Sequence, residues 1–284
     1  MTAGGVTSNA TRPTPAVGPA MGLRVLPAWM GTRKALHLME RNALAYRRMW
    51  LLFVSGFFEP LFYLLSITIG ISHLAGSVAG PGGVRVSYTA FAAPALMASA
   101  AMNGAVMDGT FAVFFKLKFA KVYDAVLATP LEAPDVALGE ISWAVARGAM
   151  YSTAFLVVMA CMGLVHSPWA VLAVPAAVLE AFAFAGVAMA STTYMRSWQD
   201  FDFVTLVLMP MFLFSATFYP LSVYSAPLRA VVRVLPLYQA VALVRTLDLG
   251  GVNWALLGHA AYLAAMALVG LAVAGRRLGK LILN

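Results

Sequence analysis

Residues 88–113 read YTAFAAPALMASAAMNGAVMDGTFAV, 26 positions with one formally charged side chain, Asp108. A hydrocarbon core roughly 30 Å thick is crossed by about 20 predominantly apolar residues, each advancing a helix by about 1.5 Å. Backbone N–H and C=O groups find no water at that depth, so a run of this kind has to be helical to satisfy them. Working outward, five more windows meet the same length and polarity test, near 50–72, 137–164, 169–194, 203–222 and 254–274. The expected fold class is therefore all-α, a polytopic membrane protein with six transmembrane helices.

Composition agrees with that reading. Of 284 residues, 62% are hydrophobic and 11% charged, against roughly 45–50% and about 25% in a soluble domain. The formal charge of +8 would suggest nucleic acid in a soluble chain. Here the basic residues cluster between apolar runs, and no basic stripe interleaved with aromatics occurs, so nucleic acid is excluded as a partner. The single cysteine, Cys161, rules out an intramolecular disulfide and a cysteine-based metal site. Its place in an apolar run predicts a small core residue.

The basic residues also set an expected topology. With the N-terminus cytoplasmic, 14 lie inside and four outside (Arg85, Arg229, Arg233 and Arg245), with Arg147 within a span. That asymmetry over short loops predicts both termini in the cytoplasm and a multi-pass protein of the plasma (inner) membrane, contacting its lipids. Residues 1–20, rich in Gly, Pro, Ala and Thr, read as a disordered cytoplasmic tail. Residues 21–49 carry Leu36, Met39 and Ala43 at helical spacing among Arg33, Lys34 and Arg41, the pattern of an amphipathic helix at the membrane interface. The transmembrane domain then occupies 50–280.

Two connections are too long for turns. In KLKFAKVYDAVLATPLEAPD, 116–135, Phe119, Val122 and Val126 recur at helical period between Lys118, Lys121 and Asp124, until Pro130 and Pro134 stop the helix. A short cytoplasmic helix parallel to the membrane is expected. Residues 223–247 are apolar but broken by Pro227 and Pro236 and carry three arginines. They suggest short re-entrant helices on the outer side, tolerated at depth only where packed on protein or lining a cavity.

No nucleotide or metal chemistry is written into the chain. GRRLGKL at 275–281 has the wrong glycine spacing for a phosphate-binding loop and no Ser or Thr after Lys280. No HExxH or GxSxG occurs, and the four histidines are scattered, so no catalytic residue, metal site or bound cofactor is expected. Ionisable groups inside spans each ask for an explanation: Glu59, Asp108, Glu140, Arg147 and Glu180. Glu140 and Arg147 lie seven apart, on one face of span three, and suit an ion-pair network or a polar substrate contact. Asp108, near the end of span two, could instead snorkel to the interface. Phe214, Phe218, Tyr219 and Pro220 end span five with aromatic surface suited to an outer gate or an interfacial aromatic belt.

Several segments together resemble the ABC-2 type permeases: EPLFYLL in span one, YTAFAAPALMASAAMNG in span two, YDAVLATPLEAPDVALGEISWA into span three, and PMFLFSATFYPLSVYSAPLRAVVRVLPLYQAVALVRTL through span five and beyond. Within that group the likeness is to nodulation-type lipooligosaccharide exporter permeases, with daunorubicin-resistance-type exporters more distant, and it covers roughly 35–280. The resemblance implies a permease subunit, not itself an enzyme, that pairs with a second permease copy or paralogue and with two separate ATPase subunits holding ATP and Mg. It implies that 116–130 is the coupling helix docking on the ATPase, with Lys116, Lys118, Lys121, Tyr123, Asp124, Thr129, Pro130 and Leu131 as coupling residues. Gly139 and Glu140 match the family's Gly-Glu pair. The loop SWQDFDF, 197–203, departs from the tyrosine-rich family version. The expected function is outward export of a lipid-like, glycolipid, lipooligosaccharide or amphipathic drug substrate. An ion-coupled secondary transporter using Glu59, Glu140 and Glu180 is the alternative, and a membrane-embedded enzyme is disfavoured because no acid, base and nucleophile converge by spacing.

Overall fold

The computed structural model describes residues 42, 44, 58, 61–71, 76–119 and 133–283. The tail, most of the amphipathic segment, Glu59 and residues 120–132 lie outside the described residues. A helix α1 covers Leu61–Ile71, the described part of the expected first span. A two-stranded antiparallel hairpin, β1 (Ser77–Ala79) and β2 (Arg85–Ser87), follows, pairing Val78 with Val86. This small sheet is an exception to the all-α expectation.

Helix α2 spans Tyr88–Lys118. The Ser87 side chain caps it by accepting from the Ala90 N–H at 3.2 Å. Its alanines at 90, 92, 93, 95, 98, 101 and 105 are all buried, because small side chains let neighbouring helices approach on every side. Within its apolar window 89% of residues are buried, so α2 is the central post of the bundle. Helix α3 covers Ala133–Cys161, and α4 covers Ala173–Thr192 after a 3₁₀ turn at Pro168–Leu172. Then come α5 (Phe201–Phe214), α6 (Ala226–Val234), α7 (Pro236–Leu249) and α8 (Ala255–Leu283).

Four of these helices are long and apolar enough to cross a membrane, and the pair α6–α7, bent by 85° at Leu235, makes up to five. This count covers the described residues, which include only Leu61–Ile71 and Phe58 of the expected first span. The expected fifth span, 203–222, is helical only to Phe214. Fourteen residues advance about 21 Å, short of the roughly 30 Å core. Ala216 takes a left-handed φ of 56°, a conformation that a non-glycine side chain disfavours and that no helix can continue through. Cys161, expected in the core, is exposed at the last position of α3.

Apolar burial gives little drive to join helices already solvated by lipid, so close packing of small residues does that work. Helices α4 and α8 cross where Gly186 meets Gly270. A Cβ at Gly270 would lie 2.7 Å from the Gly186 carbonyl carbon, so only glycine fits. Each glycine is followed four residues later by a buried alanine, Ala190 and Ala274, the spacing that keeps a shallow groove along one helix face. We expect Gly270→Leu to lower stability by roughly 1–3 kcal/mol and Gly258→Ala, with nothing within 4 Å, to be neutral or slightly stabilising. Thermal unfolding in detergent checks both; equal effects would remove the crossing from the account.

Candidate functional site: the charged core and its neighbours

Helices α2 and α3 run antiparallel, and two ion pairs join them like rungs. Arg147 Nη1 donates to Asp108 Oδ1 at 2.6 Å. Lys116 Nζ donates to Glu140 Oε2, also at 2.6 Å. From Asp108 to Lys116 the chain advances about 12 Å, and from Glu140 to Arg147 about 10.5 Å, so the two rungs match in spacing. Glu140 and Arg147 share a face, as expected, but each is neutralised by α2. Asp108 does not snorkel: it is 6% exposed. In a medium of low dielectric an uncompensated charge costs several kcal/mol, so each of these groups needs a partner at hydrogen-bond distance.

The lower rung has a third member. Asn42 Nδ2 donates to Glu140 Oε2 at 3.0 Å, and Asn42 Oδ1 accepts from Lys116 Nζ at 3.1 Å. Asn42 belongs to the stretch read as amphipathic, and its buried amide joins α2 to α3 at this rung. Lys116 was expected to be a coupling cation; it sits in the last turns of α2, locked in this rung. Lys118 ends α2. Lys121, Tyr123, Asp124, Thr129, Pro130 and Leu131 lie outside the described residues.

Around the upper rung α2 contains one π-helical turn, Asp108–Ala112. Such a turn inserts a residue into the helical ladder and frees a carbonyl. The Thr192 hydroxyl of α4 lies 2.9 Å from the Gly109 carbonyl oxygen. A Cβ at Gly109 would meet Ala188 Cβ at 2.8 Å, so glycine permits the close approach on which that bond depends. Glu180 on α4 is wholly buried and has no hydrogen-bond partner among the described residues. It is therefore not brought into the network with Asp108, Glu140 and Arg147.

At the opposite end, Arg245 of α7 is 6% exposed. It was counted among the outer-loop charges; it lies inside the bundle. Its Nε donates to the Phe91 carbonyl at 2.9 Å and its Nη2 to the Ala216 carbonyl at 2.8 Å, while the guanidinium carbon lies 3.7 Å above the Phe91 ring. Tyr88 Oη donates to the Phe218 carbonyl at 3.0 Å. Residues 215–218 leave the helix at a depth where unsatisfied carbonyls are costly, and these two side chains satisfy them. Arg245 is the principal residue that sequence reading missed. Its signal was its place in the apolar stripe Leu237, Val241, Val244, which an arginine occupies only when paired.

The expected gate residues separate. Phe214 ends α5 and lines a groove, Phe218 packs edge-on against Phe212 with centroids 5.2 Å apart, Tyr219 is exposed, and Pro220 precedes a 3₁₀ turn at Leu221–Val223. The loop SWQDFDF forms a capping box, in which Asp200 Oδ2 accepts from the Arg196 and Ser197 N–H groups at 2.7 and 3.0 Å. Those two N–H groups hold the Asp200 carboxyl below its ordinary pKa. Phe201 stacks on Phe111 at 4.0 Å and meets Trp198 at 5.1 Å, anchoring the start of α5 on α2. Beyond that anchor α5 leaves the bundle, and a largely apolar groove of about 1060 Å³ separates it from α4, α6 and Met266 of α8.

Removing Arg147 alone, as Arg147→Met, strands Asp108 and should cost about 3–5 kcal/mol, while Asp108→Asn with Arg147→Met should recover much of it. Glu140→Gln and Arg147→Gln belong to different rungs, so their losses should add within about 0.5 kcal/mol. Chemical denaturation of these five variants, the Glu140→Gln with Arg147→Gln double among them, measures this. Strong coupling between Glu140 and Arg147 would contradict the two-rung geometry.

The sequence profile of the ABC-2 type transporter family matches residues 33–249. Nodulation protein J of Rhizobium leguminosarum bv. viciae is 31% identical over 81% of this chain and 87% of its own length. Nodulation protein J of Rhizobium meliloti (strain 1021) is 31% identical over 74% and 79%, and that of Sinorhizobium fredii (strain NBRC 101917 / NGR234) 30% identical over 72% and 78%. With apolar helices long enough to cross a bilayer and a profile match over most of its length, the chain is a multi-pass membrane protein that belongs to the ABC-2 type transporter family.

Proposed function

We propose that this chain is the permease subunit of an ATP-binding-cassette exporter, moving a lipid-like, glycolipid, lipooligosaccharide or amphipathic drug substrate outward across the inner membrane. ATP and Mg bind on separate ATPase subunits, two per complex, and a second permease copy or paralogue completes the pathway. Both termini are cytoplasmic, and α6–α7 is a re-entrant element at the outer side. The observation that carries this reading is the pair of rungs Asp108–Arg147 and Lys116–Glu140, which tie α2 and α3 together at the end where residues 120–132 connect them. Two helices bound by buried ion pairs move as one body, so a push on their connection travels along both.

In this reading Lys121, Tyr123, Asp124, Thr129, Pro130 and Leu131 receive the ATPase movement. Lys118 stands at the exit of α2 beside them. The substrate class is supported by α5, whose Leu206, Val207, Met209 and Leu213 are exposed and offer an apolar route. Export by ion coupling gains no support, because Glu140 is occupied by Lys116 and Asn42.

Affinity purification of the tagged chain should bring down an ATPase subunit with a phosphate-binding loop. Tyr123→Ala or Asp124→Ala should reduce transport-coupled ATP hydrolysis while the chain still inserts in the membrane. Recovery of the chain free of any ATPase, with export driven by a proton gradient, would overturn the proposal.

A further inference from the structure

The groove beside α5 is a candidate site distinct from the charged core, and its chemistry differs at its two ends. Along its length it is apolar, bounded by Phe203, Val207 and Phe214 of α5, Val187 of α4, and Leu228 and Val231 of α6. From Phe203 to Phe214 it follows α5 for about 16 Å, deep enough to take one extended hydrocarbon chain.

At the Phe203 end, where the loop 193–200 turns, the lining becomes polar with Tyr194, Arg196, Ser197 and Asp200. A second guanidinium stands behind one of these lining residues: Arg277 of α8 is outside the lining itself, with its Cζ 4.0 Å over the Tyr194 ring. Its Nε is buried with no hydrogen-bond acceptor among the described residues. The Arg196 charge acts on the Asp200 carboxylate without a salt-bridge contact, and among the described residues Arg277 makes no salt-bridge contact either. Asp200, the acid that shares the mouth, has its Oδ2 occupied by two backbone N–H groups.

We infer that this groove holds one anionic phospholipid of the surrounding bilayer, its phosphate between Arg196 and Arg277 and one acyl chain lying along α5. Charge complementarity selects this occupant. Two guanidinium groups at the head of an apolar slot match a phosphodiester above a hydrocarbon chain, and Arg presents paired donors suited to phosphate oxygens. The mouth lies at the end of the molecule that carries the excess of basic residues, the side on which anionic lipids concentrate and on which basic pockets between helices hold their head groups. The lipid would fill the space that α5 leaves on departing from α4, and it goes beyond the export reading because it needs neither ATPase nor transported substrate.

Native mass spectrometry of the full chain, reconstituted in vesicles of equal phosphatidylglycerol and phosphatidylcholine and re-extracted in mild detergent, tests this without any transport readout. One phospholipid per chain should be retained, with phosphatidylglycerol favoured by about fivefold for each arginine. Arg196→Gln with Arg277→Gln should abolish that preference, Val207→Trp should fill the slot and lose the retained lipid, and Arg85→Gln, at the far end, should change neither. Equal retention of the two lipids by the unmodified chain, or a preference that survives the double substitution, would overturn the proposal. So would a Val207→Trp chain that keeps its lipid but loses self-association, since the groove would then belong to a second copy.

Discussion

The ion pair between Arg147 and Asp108 sets the terms for the rest of the bundle. A charge buried among helices that lipid surrounds cannot be left to water, so α2 and α3 are held in one register by the need to neutralise both groups. The second rung, Lys116–Glu140, repeats the constraint about two turns further on and adds Asn42 from the N-terminal segment. Slippage of one helix against the other by a single turn would break both pairs at once. The register of α2 also fixes the position of its π-helical turn, and through Gly109 and Thr192 that of α4.

The same logic operates on backbone at the other end. Where α5 stops at Phe214, the carbonyl groups of Ala216 and Phe218 meet the Arg245 guanidinium and the Tyr88 hydroxyl. The donors come from α7 and from the first residue of α2, so the irregular segment, the bent helix pair and the central post depend on one another. A further clamp holds the bend itself: Tyr262 of α8 donates to the Val234 carbonyl at 2.9 Å, and His259 meets Gln239, whose amide donates to the Arg233 carbonyl. Arg233 and Val234 are the last residues of α6, so their carbonyls have no donor within the helix. The bend is therefore a defined joint held by side chains.

Sequence made the long apolar helices legible because hydrophobic length is a property of contiguous residues. It also showed which charges needed partners. It could not show which partners, because Asp108–Arg147 and Lys116–Glu140 join different helices at 39 and 24 residues' separation. The error at span five has a similar cause: residues 215–222 are apolar enough to span, and only the donors of Arg245 and Tyr88, remote in the chain, make the non-helical course affordable in energy. Arg245 was read as a loop charge because proline and arginine content outweighed the apolar stripe around it. Cys161 looked like core from its neighbours, yet lies on the exposed side of the last turn of α3.

The central claim is that the two rungs make α2 and α3 a single rigid lever between the ATPase subunits and the pathway. The most direct measurement is the amount of substrate moved per ATP hydrolysed in vesicles containing the complete transporter with Lys116→Met and Glu140→Leu together, which removes one rung without stranding a charge. The account predicts that the complex still assembles and hydrolyses ATP but that the ratio falls well below that of the unmodified transporter. A ratio unchanged by loss of the rung would contradict it.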